Sequence, residues 1–195
     1  TDCRPEWLAQ FAVMGAVYAQ KVLGIDNPRV ALLSNGEEKI KGNKLVQETH
    51  ALLEKLDLNV IGNVEGKDLA RGLADVVVTD GFVGNVAIKT AEGTAGFILD
   101  ILRREIKRRP LAILGALLAK PAFKAAAKAL DYREYAGGIL LGVNGVVVIA
   151  HGRSDAYAIE NAVRVAIRAV EVDLVNTIRE DIQRSLAATG SVGES

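Results

Sequence analysis

The feature that most constrains the fold of this chain is an alternation between short apolar runs and longer segments of helical periodicity. The run Val30–Leu33 is continuously apolar, and Asp75–Thr79 contains three consecutive valines. Such runs are typical of strands that are buried on both faces of a parallel sheet. Between them, apolar residues recur every three or four positions, as on one face of a helix. The alternation predicts an α/β fold: a three-layer αβα arrangement with a largely parallel sheet.

The pattern also predicts where the individual elements lie. We expect four strands, at Val30–Leu33, Leu58–Ile61, Asp75–Thr79 and Val146–Ala150. We expect helices over Pro5–Lys21 and Asn43–Lys55, from Gly84 onwards, and from Asp155 to about Ser185. In the helix after Gly84, the side chains expected to face inward are Val86, Ile88, Phe97, Ile98 and Ile101. In the last helix, the stripe expected to do so is Ile159, Val163, Ile167, Val170, Leu174 and Ile178.

Length and composition narrow the class of protein. A chain of 195 residues suits one domain, and equal numbers of basic and acidic residues (24 each) argue against a nucleic-acid-binding protein. The single cysteine, Cys3, cannot form an intrachain disulfide. The chain shows neither a signal peptide nor an apolar run of about 20 residues. We therefore expect a soluble intracellular protein.

Each predicted strand is followed by a polar turn that contains glycine. These turns span residues 34–38 with 41–43, 62–66, 79–85 and 150–154. Ligands of open α/β sheets bind beyond the carboxyl ends of the strands, where glycine permits close approach and helix N-termini attract anions. Four such turns on one sheet edge predict a crevice that binds an anion.

The motifs of several other kinds of site are missing. His50 and His151 are a hundred residues apart, and no group of His and Cys has the spacing of metal ligands. Neither a Walker motif nor Gly-x-Gly-x-x-Gly occurs, and Cys3 has no histidine nearby in sequence. We therefore expect no metal, no nucleotide cofactor and no nucleophilic triad.

The segment 103–130 interrupts the alternation. Five of the seven residues Arg103–Arg109 are basic, and Lys120, Lys124 and Lys128 follow. Between them, Leu111–Ala119 is apolar on all sides, and Pro110 and Pro121 divide the segment into a helical hairpin. A helix that is apolar all round is usually buried, in a core or a dimer interface. Alternatively, Leu111, Leu114, Leu117 and Leu118 form a tip that enters an anionic membrane surface.

Several ordered motifs carry a resemblance to a known family. They are Asp2–Glu6, Lys41–Asn43, Ile61–Gly66, Asp75–Asn85, Asp131–Tyr135, Leu141–Gly145 and Ala150–Gly152. Together they resemble the phosphate acyltransferase family PlsX, over residues 2 to about 185. Members of that family are longer, and this chain is similar to their C-terminal part. Residues 1–186 would then be a single α/β domain belonging to a longer one, with 103–130 as an insertion and 187–195 as a flexible tail.

The resemblance implies an activity and partners. The family transfers a fatty acyl chain from acyl-carrier protein to inorganic phosphate, and its product, acyl phosphate, serves phospholipid synthesis. The family's fold is similar to that of phosphotransacetylases and isocitrate-type dehydrogenases, and its reaction uses no cofactor. The resemblance further implies a cytoplasmic homodimer that associates peripherally with the membrane, near the downstream glycerol-phosphate acyltransferase.

The resemblance also implies site residues. Phosphotransacetylases share an Asp, a Gly-Asn pair and a Lys after a strand, and Asp80, Gly84-Asn85 and Lys89 fit that pattern. The expected catalytic residues are His151, Lys89, Asp80 and Asn85, and the expected substrate- or phosphate-binding residues are Lys41, Gly42, Asn43, Asn63, Gly81, Gly84 and Asn144. His151 would protonate the leaving thiolate and Lys89 would bind phosphate. Each has a structural alternative: His151 as a buried histidine, Lys89 as a surface lysine, Asp80 as a helix cap.

Two other functions remain open at this point. An isocitrate-type dehydrogenase would need metal-binding aspartates at helical spacing and an adenine pocket, and the sequence shows neither. A truncated, non-catalytic half-domain that binds a membrane or a partner is compatible with a chain lacking an initiator Met.

Overall fold

A computed structural model describes residues 2–129, 137–150, 152 and 154–189. The helices are α1 (Pro5–Lys21), α2 (Lys44–Leu53), α3 (Gly81–Lys107), α4 (Pro110–Leu118), α5 (Lys120–Ala129), α6 (Ala156–Glu171) and α7 (Leu174–Thr189), with a 3₁₀ turn at Gly66–Asp68. The strands are β1 (Val30–Ser34), β2 (Val60–Glu65), β3 (Val76–Val78), β4 (Gly138–Ile139) and β5 (Val148–Ile149). The predicted α/β class is confirmed. The motif Asp131–Tyr135 and the tail residues 190–195 lie outside the described residues.

The centre of the fold is a parallel sheet with the strand order β2-β1-β3. Leu32 of β1 lies opposite Asn63 of β2 and Val78 of β3, so the carboxyl ends of all three strands point the same way. Val30, Ala31 and Leu32 are completely buried. This explains why β1 is a continuous apolar run and not an alternating one.

Helix α1 contributes to two apolar clusters through two of its faces. One face joins the sheet and α2 in the cluster Leu8, Ala12, Ala16, Val30, Leu32, Leu53 and Val78. Another joins α6 and α7 in the cluster Val13, Met14, Val17, Val22, Ala169, Leu174 and Ile178. The helix begins where predicted, with Pro5 as its first residue.

The second strand lies later in the chain than the sequence predicted. The expected strand Leu58–Ile61 is replaced by β2, which runs through Gly62 and Asn63 to Glu65. An irregularity after Val30 shifts the register, and Gly62 takes a φ of +98°. Residues 62–65 therefore belong to a strand and not to a turn, because pairing with β1 extends it beyond the apolar run.

The fourth predicted strand does not belong to the parallel sheet. Val148 and Ile149 form β5, which pairs antiparallel with β4 in a separate two-stranded ribbon. The prediction of four turns on one sheet edge is therefore wrong for the turn after β5. Such a short strand is decided by the partner it meets, and β4, with two residues, has no sequence pattern that reveals it.

The long C-terminal helix is two helices in the structure. Asp173, with a φ of +46°, separates α6 from α7. The predicted inward stripe is also wrong over α6, because Ile159, Val163, Ile167 and Val170 are about half exposed. Instead, α6 buries Ala158, Ala162 and Ala169, whose small side chains let the helix approach the body closely.

Helix α3 contradicts the prediction of inward-facing side chains most fully. It begins at Gly81, three residues before the predicted start, and none of its residues is buried. Val86, Ile88, Phe97 and Ile98 are between 48% and 66% exposed.

Prolines separate the following helices as predicted, since Pro110 begins α4 and Pro121 is the second residue of α5. None of the helices in the described part of the chain combines the length and apolarity needed to cross a bilayer.

Candidate active site

A cleft of about 530 Å³ lies at the carboxyl ends of β1 and β3. Its lining residues are Leu33, Ser34, Asn35, Gly42, Asn43, Val46, Thr79, Asp80 and Val83. This is the edge of an open α/β sheet where ligands are expected to bind. The cleft thus joins two of the predicted glycine-containing turns, those after β1 and β3.

Two helices begin at this cleft, and each has a side-chain cap. The Asn43 Oδ1 accepts a hydrogen bond from the Val46 N–H (3.0 Å) at the start of α2. The Asp80 Oδ1 accepts from the N–H groups of Phe82 (2.9 Å) and Val83 (3.0 Å) at the start of α3. Helix N-termini carry partial positive charge, so that of α2, whose cap is neutral, favours an anion in the cleft, whereas the Asp80 carboxylate already occupies that of α3. The structure shows Asp80 as the cap of α3, and its catalytic role stays a prediction.

The loop between β1 and α2 forms one wall of the cleft. The Asn35 Oδ1 accepts from the Gly42 N–H (2.8 Å), and the Gln47 side-chain amide donates to the carbonyls of Ile40 and Gly42. Gly42 has a φ of +94°, and a Cβ there would lie 2.6 Å from Val46 Cγ1. Glycine is therefore required at this position by both conformation and space.

Ser34 is a cleft residue that the sequence analysis did not select. It ends β1, and its Oγ is buried without a hydrogen-bond partner in the structure as described. Its oxygen lies directly beneath Gly42, since a Cβ on that glycine would be 3.1 Å away. The available signal was a single polar residue at the end of an apolar strand.

The structure brings several predicted site residues together. Gly42, Asn43 and Asp80 line the cleft. The first turns of α3 follow Asp80 and contain Gly81, Gly84 and Asn85. The Gly84 N–H donates a hydrogen bond to the Asp80 carbonyl (2.9 Å). Lys41 precedes Gly42 on the loop and is exposed. Gly42, Asn43 and Asp80 therefore meet at the cleft, and the other four lie next to them in sequence.

Other predicted residues lie elsewhere. The Lys89 ammonium group donates to Glu92 Oε2 (2.9 Å), and Lys89 is absent from the cleft lining. Asn144 lines a different cavity, next to α7, where its Oδ1 accepts from Arg179 (3.1 Å). Asn63 is 6% exposed, and its amide donates to the Glu38 carbonyl (2.9 Å). His151 lies outside the described residues.

Among the described residues, one cluster of three carboxylates has the geometry to hold a metal ion. Oxygens of Glu37, Glu65 and Asp68 all lie within 4.8 Å of one another. The Lys67 ammonium group already binds Glu65 and lies 3.4 Å from Glu37, and these hydrogen bonds raise the pKa of Lys67. Because Lys67 pairs with two of the three carboxylates and Arg71 lies 3.6 Å from the third, Asp68, the arrangement is an ion-pair network beside the cleft loop.

Comparison with known proteins identifies a family. A protein-family model described as "Fatty acid synthesis protein" matches residues 1–177. The chain is 53% identical to a protein named phosphate acyltransferase from Dictyoglomus turgidum, over 94% of this chain and 55% of that protein. It is 50% identical to the phosphate acyltransferase of Desulfitobacterium hafniense, over 96% and 56%, and 53% identical to that of Campylobacter jejuni subsp. doylei, over 86% and 51%.

These matches agree with the resemblance read from the motifs. The chain spans about half the length of the curated relatives it matches. The region matched by the family model runs from before α1 into α7 and includes every residue of the cleft. The chain belongs to the fatty acid synthesis protein family, together with relatives named phosphate acyltransferase.

Proposed function

We propose that this chain is part of a phosphate acyltransferase that moves a fatty acyl group from acyl-carrier protein to inorganic phosphate. The observation that carries the proposal is the cleft at which the N-termini of α2 and α3 meet beside the Gly42 turn. Such an arrangement suits a dianionic substrate. The names of the relatives support acyl transfer to phosphate, and the family description supports a role in lipid synthesis.

The reaction requires positioning and charge stabilisation from the protein. A phosphate oxygen attacks the thioester carbonyl, a C–O bond forms, and the C–S bond breaks as the phosphopantetheine thiolate leaves and takes up a proton. The N-terminus of α2 at the cleft would hold the phosphate, and Lys41 lies on the adjacent loop to balance its charge. A side-chain nucleophile is not needed for this route. His151 as the proton donor stays a prediction of the resemblance.

The activity can be tested with the whole protein that contains this chain. We expect it to convert acyl-carrier protein thioester and inorganic phosphate into acyl phosphate and free carrier protein, without added nucleotide. Replacing Asn43 by Ala should weaken phosphate saturation, because it removes the cap of α2. Lys55→Gln, which alters an exposed lysine beyond the other end of the same helix, is the control. Turnover that requires NAD would contradict the proposal.

We also propose that α4 docks on an anionic membrane surface. Leu111, Leu114, Leu117 and Leu118 are between 59% and 85% exposed. At the end of α3, Arg104, Arg108 and Arg109 all share the single carboxylate of Glu105, which leaves this region positively charged. An exposed apolar helix beside cationic groups suits the headgroup boundary of an anionic bilayer. The homodimer and the neighbouring glycerol-phosphate acyltransferase stay predictions.

A further inference from the structure

We propose that Asn63 is a positioning residue, which holds the β1–α2 loop in the shape that presents Lys41, Gly42 and Asn43 to phosphate. This inference rests on the proposed function, because it concerns the phosphate site of that reaction. It assigns Asn63 a role behind the loop, different from the direct contact with substrate oxygens that the sequence analysis predicted.

The argument begins with a single carbonyl group. The Glu38 carbonyl accepts one hydrogen bond from the Asn63 Nδ2 (2.9 Å) and another from the Lys41 N–H (2.9 Å). The second bond closes the turn that leads directly into Gly42. Asn63 therefore connects the central part of β2 to the turn that directly precedes the cleft residues Gly42 and Asn43.

Asn63 holds this loop through a buried hydrogen bond, whereas the ion pairs that hold the loop are exposed. Lys67 holds Glu37 (3.4 Å) and Lys39 holds Glu54 (2.6 Å), but all four of these side chains are at least half exposed. Exposed ion pairs hold a geometry weakly, since water screens them and their long side chains remain mobile. Asn63 is 6% exposed, so its hydrogen bond is made away from competing water.

The other half of the Asn63 amide shows that stability alone does not explain this residue. Its Oδ1 is buried and has no hydrogen-bond partner in the described structure. An unpaired buried oxygen is unfavourable, and an apolar side chain of similar shape would avoid it. A leucine would also leave the Glu38 carbonyl with the Lys41 N–H as its partner. The benefit of asparagine here is therefore the donor that fixes the loop.

The pair Asn63→Leu and Asn63→Asp tests the proposal on the chain itself. Both remove the donor while keeping a branched side chain of similar size. We expect Asn63→Leu to unfold at a temperature no lower than the original protein, to exchange the amide hydrogens of residues 39–42 at least fivefold faster, and to bind inorganic phosphate about tenfold more weakly in an NMR titration. Asn63→Asp should show the same two losses. Lys55→Gln, at an exposed position beyond the other end of α2, should leave exchange and binding unchanged.

The whole enzyme provides an independent readout. If Asn63 positions the loop, its replacement should raise the KM for phosphate about tenfold and change kcat less than twofold at saturating phosphate, because the loop would be ordered by bound substrate. A purely structural residue would lower activity in proportion to the folded fraction, with KM unchanged.

The possible outcomes separate this inference from the proposed function. If the original protein does not bind phosphate, the proposed phosphate site is wrong and this inference falls with it. If the original protein binds phosphate and both Asn63 variants bind it equally well, only the positioning role is overturned. Unchanged amide exchange in residues 39–42 of both variants would also overturn it.

Discussion

At the scale of single residues, Asp75 and Arg29 form the most extensively bonded ion pair of the described structure. Asp75 accepts from the Arg29 backbone N–H (2.8 Å), from Nε (2.9 Å) and from Nη2 (2.9 Å). The pair joins the residue before β1 to the residue before β3. Hydrogen bonds from the Arg29 side chain and backbone hold the pKa of Asp75 at about 2, below its ordinary value.

This pair predicts how stability depends on pH. Because the pKa of Asp75 is lower in the folded state, its contribution to stability is complete above the unfolded value near pH 4 and is lost as the pH falls towards about 2. We expect Asp75→Asn to be less stable at pH 7 and to lose less stability between pH 5 and pH 2.5. Denaturant unfolding at several pH values measures this, with the exposed Asp100→Asn as control. Parallel pH profiles for Asp75→Asn and the original protein would contradict it.

Gly42 carries a second prediction at this scale. Its φ of +94° and the 2.6 Å approach to Val46 exclude a Cβ without strain. Gly42→Ala should therefore lower the free energy of unfolding by about 1–3 kcal/mol, measured by denaturant titration. Gly66→Ala is the matched control, because a Cβ there meets no atom within 4 Å. Equal effects of the two changes would show that the loop relaxes freely around residue 42.

Lys89 and His151 carry the catalytic prediction. An exposed ion pair such as that of Lys89 with Glu92 is weak, so the ammonium group is able to exchange partners. If these residues act in the transition state, replacing either by Ala lowers turnover about 100-fold or more, and the Lys89 change also weakens phosphate saturation. Steady-state kinetics of the whole enzyme measures both, with the exposed Lys55→Ala as control. Unchanged kinetics would assign Lys89 and His151 to structure.

At the scale of secondary-structure elements, α6 shows two apolar faces with opposite environments. Ala169 is completely buried, whereas the adjacent Val170 is 65% exposed. The alanine face contacts the cluster built on α1 and α7. Periodicity cannot distinguish such faces, because both are apolar and recur at helical spacing.

The two faces of α6 predict different responses to the same kind of change. Ala169→Leu should destabilise the protein by about 1–3 kcal/mol, because the closely packed face has no space for extra atoms. Val170→Leu should change stability by less than about 0.5 kcal/mol, because its side chain is mostly in solvent. Thermal and denaturant unfolding compare the two variants directly. A larger effect at residue 170 would mean that the outward face is covered in solution.

At the scale of the whole molecule, the cationic and apolar segment is separated in space from the cleft. The chain has no net charge, yet the cationic end of α3 lies next to the exposed leucines of α4. The cleft belongs to the other end of α3, at Asp80. A helix of 27 residues is about 40 Å long, so the two functions proposed for this chain are well separated.

This separation predicts independent variants. Leu114→Glu or Leu117→Glu should abolish co-sedimentation with phosphatidylglycerol vesicles and leave activity in solution largely unchanged. Leu23→Glu, another exposed leucine at 52%, is the matched control and should still bind vesicles. Vesicles of phosphatidylcholine alone should bind weakly, because they lack negative charge. Continued binding of both α4 variants, or their unfolding, would assign α4 to a core or an interface.

The sequence by itself determined the fold class, the first helix, the β1 and β3 strands and the start of α2, whereas it placed the start of α3 three residues too late. The correct predictions depend on local chemistry: continuous apolar runs, a proline at a helix start, and Asn43 before α2. Tertiary structure decided that Gly62 and Asn63 belong to a strand, that β5 pairs with β4 instead of joining the parallel sheet, and that α6 packs through alanines. Each of these depends on which partner an element meets across space. The same reason applies to the site: Asn63 acquires its role from a hydrogen bond to the Glu38 carbonyl, 25 residues away in the chain, which no local pattern records.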